Sequence, residues 1–206
     1  MTIYSILGFL GASLALTISP GPDNIFVITQ GITRGRRAAI VTALGMCSGV
    51  SIHTIAAAFG ISAIFYSSAL AFNLVKYTGA GYLLYLAFKT IRSSSPVTLA
   101  SAETIPASAL FRRGFIMNVL NPKVALFFLA FLPQFVTPAA GHLPMQMILL
   151  GTIFMTQAVA VFSLIGWFSG SIGRQLLSRP HISKYFNRLT ATVFASLGLK
   201  LALSGR

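Results

Sequence analysis

Acidic residues are almost missing from this chain: Asp23 and Glu103 are the only two among 206 residues, against 15 Lys and Arg. Charge of either sign is scarce at 8% of residues, where soluble proteins carry about a quarter. There is one cysteine, Cys47, so an internal disulfide and a two-thiol electron relay are both excluded. Its ordinary reading is a small apolar helix residue. No P-loop, catalytic triad or metal-ligand cluster is visible, so the sequence suggests no cofactor and no resident metal, and it reads as a non-enzyme. The formal charge of +13 does not point to nucleic acid, because no polar domain exists on which the basic residues could cluster.

What is abundant is apolar surface. Hydrophobic residues make up 55% of the chain and the mean hydropathy is +0.82, which places it in a lipid bilayer. Residues 1 to 19 have no basic n-region and the apolar pattern runs on to Gln30, so the first segment is expected to stay in the mature protein. A helical span needs about 20 mostly apolar residues. Six stretches qualify, near 3–32, 39–66, 71–91, 111–135, 145–170 and 185–204. Residues 93–109, rich in Ser, Pro and Ala and carrying Glu103, read as a linker between a first unit at 1–92 and a second at 110–206.

Basic residues set the expected orientation. Arg34, Arg36 and Arg37 follow the first span, Lys89, Arg92, Arg112 and Arg113 flank the linker, and Arg174, Arg179, Lys184 and Arg188 lie between the last two. The alternate loops contain neither Lys nor Arg. The positive-inside rule makes the three basic loops cytoplasmic and puts both termini outside. Lys76, Lys200 and Arg206 fall near outer ends, where long side chains can snorkel to the interface. In this orientation the two units enter the membrane from opposite sides. The fold expected is therefore all-α, with six transmembrane helices in two inverted three-helix repeats, an architecture in which substrate sites form where interrupted helices meet at the midplane.

Two such interruptions stand about 100 residues apart. The first span contains "SPGPDN" and the fourth "NPKVALFFLAFLPQF". Gly21, Pro22 and Asp23 match Asn121, Pro122 and Lys123 as a cap-type residue, a proline and a charge. Proline suits the first position of a helix and Gly or Asn the cap before it, so each motif predicts the start of a half-helix. The breaks lie 9 to 12 residues from a cytoplasmic arginine, on the order of 15 Å and near mid-membrane. A helix starting there aims N–H groups and a positive dipole end into the protein, an arrangement suited to a carboxylate. Asp23 and Lys123 are costly in a membrane and are the main candidates for function. Three roles stay open: a structural ion pair, recognition of the two ends of a zwitterion, and proton carriage by Asp23.

Other polar residues are weaker candidates. Asn24 and Asn118 flank the breaks and can satisfy freed backbone groups. Gln157 is mid-span, suited to bonding between helices or, second, to substrate contact. Gly45, Gly49 and His53 recur at four-residue steps on one helix face, favouring close packing within a protomer or in a homodimer. His53 also brings a titratable side chain to that face. Gly166 and Gly170 repeat the small-residue spacing. The Phe-rich aromatic content reads as core or lipid-facing.

With "SPGPDN", the "GYLLYLAFK" end of span three and "NPKVALFFLAFLPQF", the chain resembles the RhtB (homoserine/threonine resistance) family of the LysE superfamily of bacterial amino-acid efflux proteins, over essentially its full length. The resemblance implies multi-pass residence in the inner membrane and export of amino acids or close derivatives, driven by ion gradients through proton antiport. It leaves the exported amino acid open. The alternative is an exporter of another small solute or metal ion on the same frame.

Overall fold

The computed structural model describes residues 1–19, 21–61, 69–92, 105–169 and 180–203. Pro20, most of the linker with Glu103, Gly170, Arg174, Arg179 and Arg206 lie outside the described residues, as do the side chains of Lys184 and Lys200.

Every described element is helical, and no strand occurs among the described residues. Helix α1 (Ile3–Ile18) is followed by α2 (Pro22–Arg34) at an angle of 55°. Helix α3 (Arg36–Ile55) runs on into a π-helical stretch, Ala56–Ile61. Next come α4 (Ala69–Arg92), α5 (Ala107–Val119) and, bent from it by 47°, α6 (Pro122–Leu126). The α6 path continues as a π-helical segment, Phe127–Phe131, and a 3-10 turn, Leu132–Phe135. Helices α7 (Leu143–Phe168) and α8 (Pro180–Leu203) complete the chain. By length and composition two single helices, Arg36–Gly60 and α7, are fit to cross a membrane, and each bent pair qualifies when taken as one span. Helices α4 and α8 have 24 residues each, about 36 Å at 1.5 Å per residue, but are more polar.

Lipid explains the outer surface. Leu74, Tyr85, Leu164 and Trp167 are more than half exposed, on helices with no second layer over them. In water such a surface would be a large unpartnered apolar patch. In a bilayer it is the contact face, so the fold is that of a multi-pass membrane protein.

The interior is built on α3, which packs most closely on α5 and also on α7 and α2, while α4 pairs with α8. Small residues bring α3 and α5 together: a β-carbon at Gly45 would collide with the Phe111 carbonyl, and one at Gly114 with the Thr42 carbonyl. The Gly45–Gly49 face is therefore used inside the protomer, as is Gly166, whose neighbour is Ala39. Substituting Leu at Gly45 should force the two backbones apart at a cost of about 1–3 kcal/mol or more. The expected result is a lower unfolding temperature in detergent and reduced membrane abundance, read by size-exclusion fluorescence.

Phe9, Phe127, Phe128, Phe131, Phe135 and Phe154 form a continuous ring cluster with centroid spacings of 5.1 to 6.0 Å, each ring at most 6% exposed. The phenylalanines after the second break are thus core, whereas Phe111 is exposed. Lys76 departs from the snorkelling expectation: it is buried, with its ammonium 4.5 Å from the centre of the Tyr77 ring, where a cation gains from the aromatic face.

One joint is unusually short. Only Gly35 separates α2 from α3, ending one helix and capping the next with φ 86°, a left-handed conformation that disfavours any side chain.

Candidate functional site

Both proline motifs begin helices as their chemistry predicts. Gly21 is the extended N-cap of α2 with Pro22 in the first turn, and Asn121 caps α6, its Oδ1 accepting from the Lys123 backbone N–H at 3.0 Å. Asp23 and Lys123 follow on the first turn of their helices, 4% and 6% exposed.

Each break frees backbone carbonyls, because Pro22 and Pro122 cannot donate to the residue four positions earlier. Side chains supply the missing donors. Asn24 Nδ2 donates to the carbonyls of Thr17 at 3.0 Å and Ile18 at 3.4 Å. At the second break His53 Nε2 lies 3.0 Å from the Asn118 carbonyl. A carbonyl only accepts, so this nitrogen carries the proton. His53 therefore anchors the second break from α3.

The breaks are also tied to each other. Lys123 Nζ crosses to the Ser19 carbonyl at 3.0 Å, and Asn121 Nδ2 crosses to Asp23 Oδ2 at 2.6 Å. Among the described residues no direct ion pair joins Asp23 to Lys123. The carboxylate is held by an amide and the ammonium by a main-chain oxygen, with the Phe194 ring centre 5.5 Å away. Both charges nevertheless line one cavity between the breaks, along with Thr17, Cys47 and Asn118 and an apolar wall that includes Met46, Val50, Phe154 and Phe162. The cavity has a volume of about 10 Å³, room for about one water.

The bonding is incomplete. Asp23 Oδ1, Asn24 Oδ1, Asn118 Oδ1 and Gln157 Oε1 are buried without a hydrogen-bond partner. Most buried polar atoms have partners, and each exception asks for a reason. Gln157 is engaged through its other atom, Nε2, which donates to Thr17 Oγ1 at 2.8 Å and so links α7 to α1.

Of the residues picked from sequence, Asp23, Lys123, Asn121, Pro22, Pro122, Gly21 and Asn24 come together at the breaks, while His53 and Gln157 brace them from neighbouring helices. Asn118, a weaker candidate in the sequence, also lines the site, whereas Ser19 and Thr17 were not picked. Ser19 takes part through its carbonyl, which side-chain pattern does not reveal. Among the described residues no group of three His, Cys, Asp or Glu side chains is placed to hold a metal ion.

Comparison with known proteins gives the same frame. A family model described as LysE type translocator matches residues 14–205. The chain is 30% identical over 203 residues to an uncharacterized membrane protein of Vibrio cholerae, covering 98% of each chain. It is 29% identical over 210 residues to a homoserine/homoserine lactone efflux protein of Salmonella typhimurium, again covering 98% of each. A leucine efflux protein of Salmonella choleraesuis is 26% identical over 204 residues, covering 97% of this chain and 96% of the relative. No solved structure matches the chain. With almost its whole length inside the family match, the chain belongs to the LysE-type translocator family, whose members are transporters rather than enzymes.

Proposed function

We propose that the protein is a secondary active exporter of amino acids or close derivatives across the bacterial inner membrane, coupled to proton entry. The observation that carries this reading is the cavity between the two breaks, with an incompletely bonded carboxylate, Asp23, and a buried ammonium, Lys123, on its wall. These are complementary to the ammonium and carboxylate of a zwitterion. The apolar wall suits an aliphatic side chain, in keeping with relatives named for leucine and for homoserine and its lactone. A metal-ion exporter fits less well, because the wall has a single carboxylate and no second acidic group.

In this proposal the chain has six spans with termini outside and basic loops inside. Residues 1–92 and 110–206 form inverted repeats joined by a cytoplasmic linker, and the repeats rock about the broken helices. A cavity that holds about one water is too small for an amino acid, so loading requires its walls to part. The helix-terminal N–H groups beside Pro22 add to the pull on a carboxylate.

The test is efflux from cells overproducing the protein and loaded with amino acids as dipeptides, followed by uptake into everted vesicles with an imposed pH gradient. Selective efflux of one or a few amino acids, driven by the gradient and collapsed by a protonophore, is expected. If no amino acid leaves cells whose membranes contain the folded protein, the reading fails. If transport persists without a pH gradient, the proton coupling alone fails.

A further inference from the structure

Two residues that line the same small space from opposite halves of the chain each carry an orphaned acceptor. Asp23 Oδ1 belongs to α2 and Asn118 Oδ1 to the last turn of α5; both are buried and without a donor. Asn118 is 3% exposed and lines the cavity with Asp23. Its backbone carbonyl accepts from His53 at 3.0 Å and from the Asn121 N–H at 2.9 Å, which holds the turn that carries it. Room for its amide is made by Gly49: a β-carbon there would stand 2.9 Å from Asn118 Oδ1.

No other group on the wall is hydrogen-bonded to either oxygen. The Thr17 hydroxyl donates to the Ser13 carbonyl, Lys123 is turned to Ser19 and the Phe194 ring, and Cys47 offers only a weak S–H. The remaining wall is aliphatic or aromatic. Two acceptors, one charged and one neutral, are complementary to a single group with several N–H donors.

We propose that Asn118 is a second acceptor for the substrate's α-ammonium group, acting with Asp23, so that a good substrate must present at least two N–H donors. This rests on the amino-acid reading above and adds a specificity-determining residue to it. His53 becomes a positioning residue, holding the turn that presents Asn118.

The experiment is uptake into everted vesicles of radiolabelled L-leucine and, in parallel, L-homoserine, competed by their N-methyl, N,N-dimethyl and N,N,N-trimethyl derivatives. The protein is compared as wild type, Asn118→Leu and Asn118→Asp. Removing a hydrogen bond to a charged group costs a factor of about ten or more in affinity. With two acceptors, the wild-type step of about tenfold falls between the monomethyl and dimethyl compounds, because the latter retains only one N–H. Asn118→Leu should raise KM about tenfold and shrink that step to within about threefold, while Asn118→Asp, which keeps an acceptor, should preserve the step. A step appearing only at the trimethyl compound, or unchanged in Asn118→Leu, overturns the proposal and leaves the exporter reading standing. Sodium dependence of wild-type uptake that vanishes in Asn118→Leu would assign the acceptors to an inorganic cation and equally overturn it. Should Asn118→Leu fail to fold, Asn118→Ser takes its place, with the same shrunken step expected and an unchanged step overturning the proposal. Absence of any amino-acid transport by the wild type removes both readings together.

Discussion

Asp23→Asn is expected to lower efflux by about a hundredfold at matched membrane abundance, the scale of a lost charge-assisted contact in a dry site. The substitution is nearly isosteric. An asparagine oxygen can still accept from Asn121 Nδ2, so the bond across the breaks survives. The variant leaves the Lys123 ammonium buried without a carboxylate on the same wall, but still bonded to the Ser19 carbonyl at 3.0 Å, so abundance should fall less than when the lysine is removed. Function and folding are thereby separated: efflux collapses while the protein remains in the membrane. Normal efflux by this variant would exclude both ammonium binding and proton carriage by Asp23. The measurement is initial efflux rate per unit of protein quantified in isolated membranes.

Lys123→Met should behave differently. It strips the Ser19 carbonyl of the donor seen at 3.0 Å and leaves the Asp23 charge buried with no cation on the same wall. An uncompensated buried charge costs about 3 kcal/mol or more, so abundance should fall along with efflux. The double variant Asp23→Asn/Lys123→Met removes the stranded charge and should regain abundance without regaining transport. Recovery of transport in the double variant would reduce both side chains to a structural role. The exchange Asp23→Lys with Lys123→Asp makes a stricter test, since a purely structural pair would tolerate reversal whereas the asymmetric partners, an amide for one and a carbonyl for the other, would not.

The breaks were legible because their chemistry is local. A cap residue followed by proline specifies a helix start wherever it occurs, and Gly21–Pro22 and Asn121–Pro122 begin α2 and α6. Helical stretches were legible too, since apolar length alone marks them. Partner choice was not. That Lys123 would bond a main-chain carbonyl 104 positions away, or His53 one 65 positions away, depends on how helices are brought side by side. Half of that signal is in the sequence, because Pro122 deprives the Asn118 carbonyl of the helical donor four residues on. The π-helical turns at Ala56–Ile61 and Phe127–Phe131 have no local signature, being composed of residues that serve equally well in an α-helix.

The single residue between α2 and α3 bears on how such a site could open. With only Gly35 as a joint, α2 has almost no slack of its own. Any swing of the segment bearing Asp23 drags along the rod bearing Cys47, Val50 and His53, so one side of the chamber travels as an angle bracket. The opposite edge, where Thr17 is latched to α7 by Gln157, is fastened to a different part of the frame. Under the proposed exporter reading, opening would amount to a bracket pivoting against a latch, and inserting two or three residues after Gly35 would disengage the carboxylate from the wall it is meant to move with.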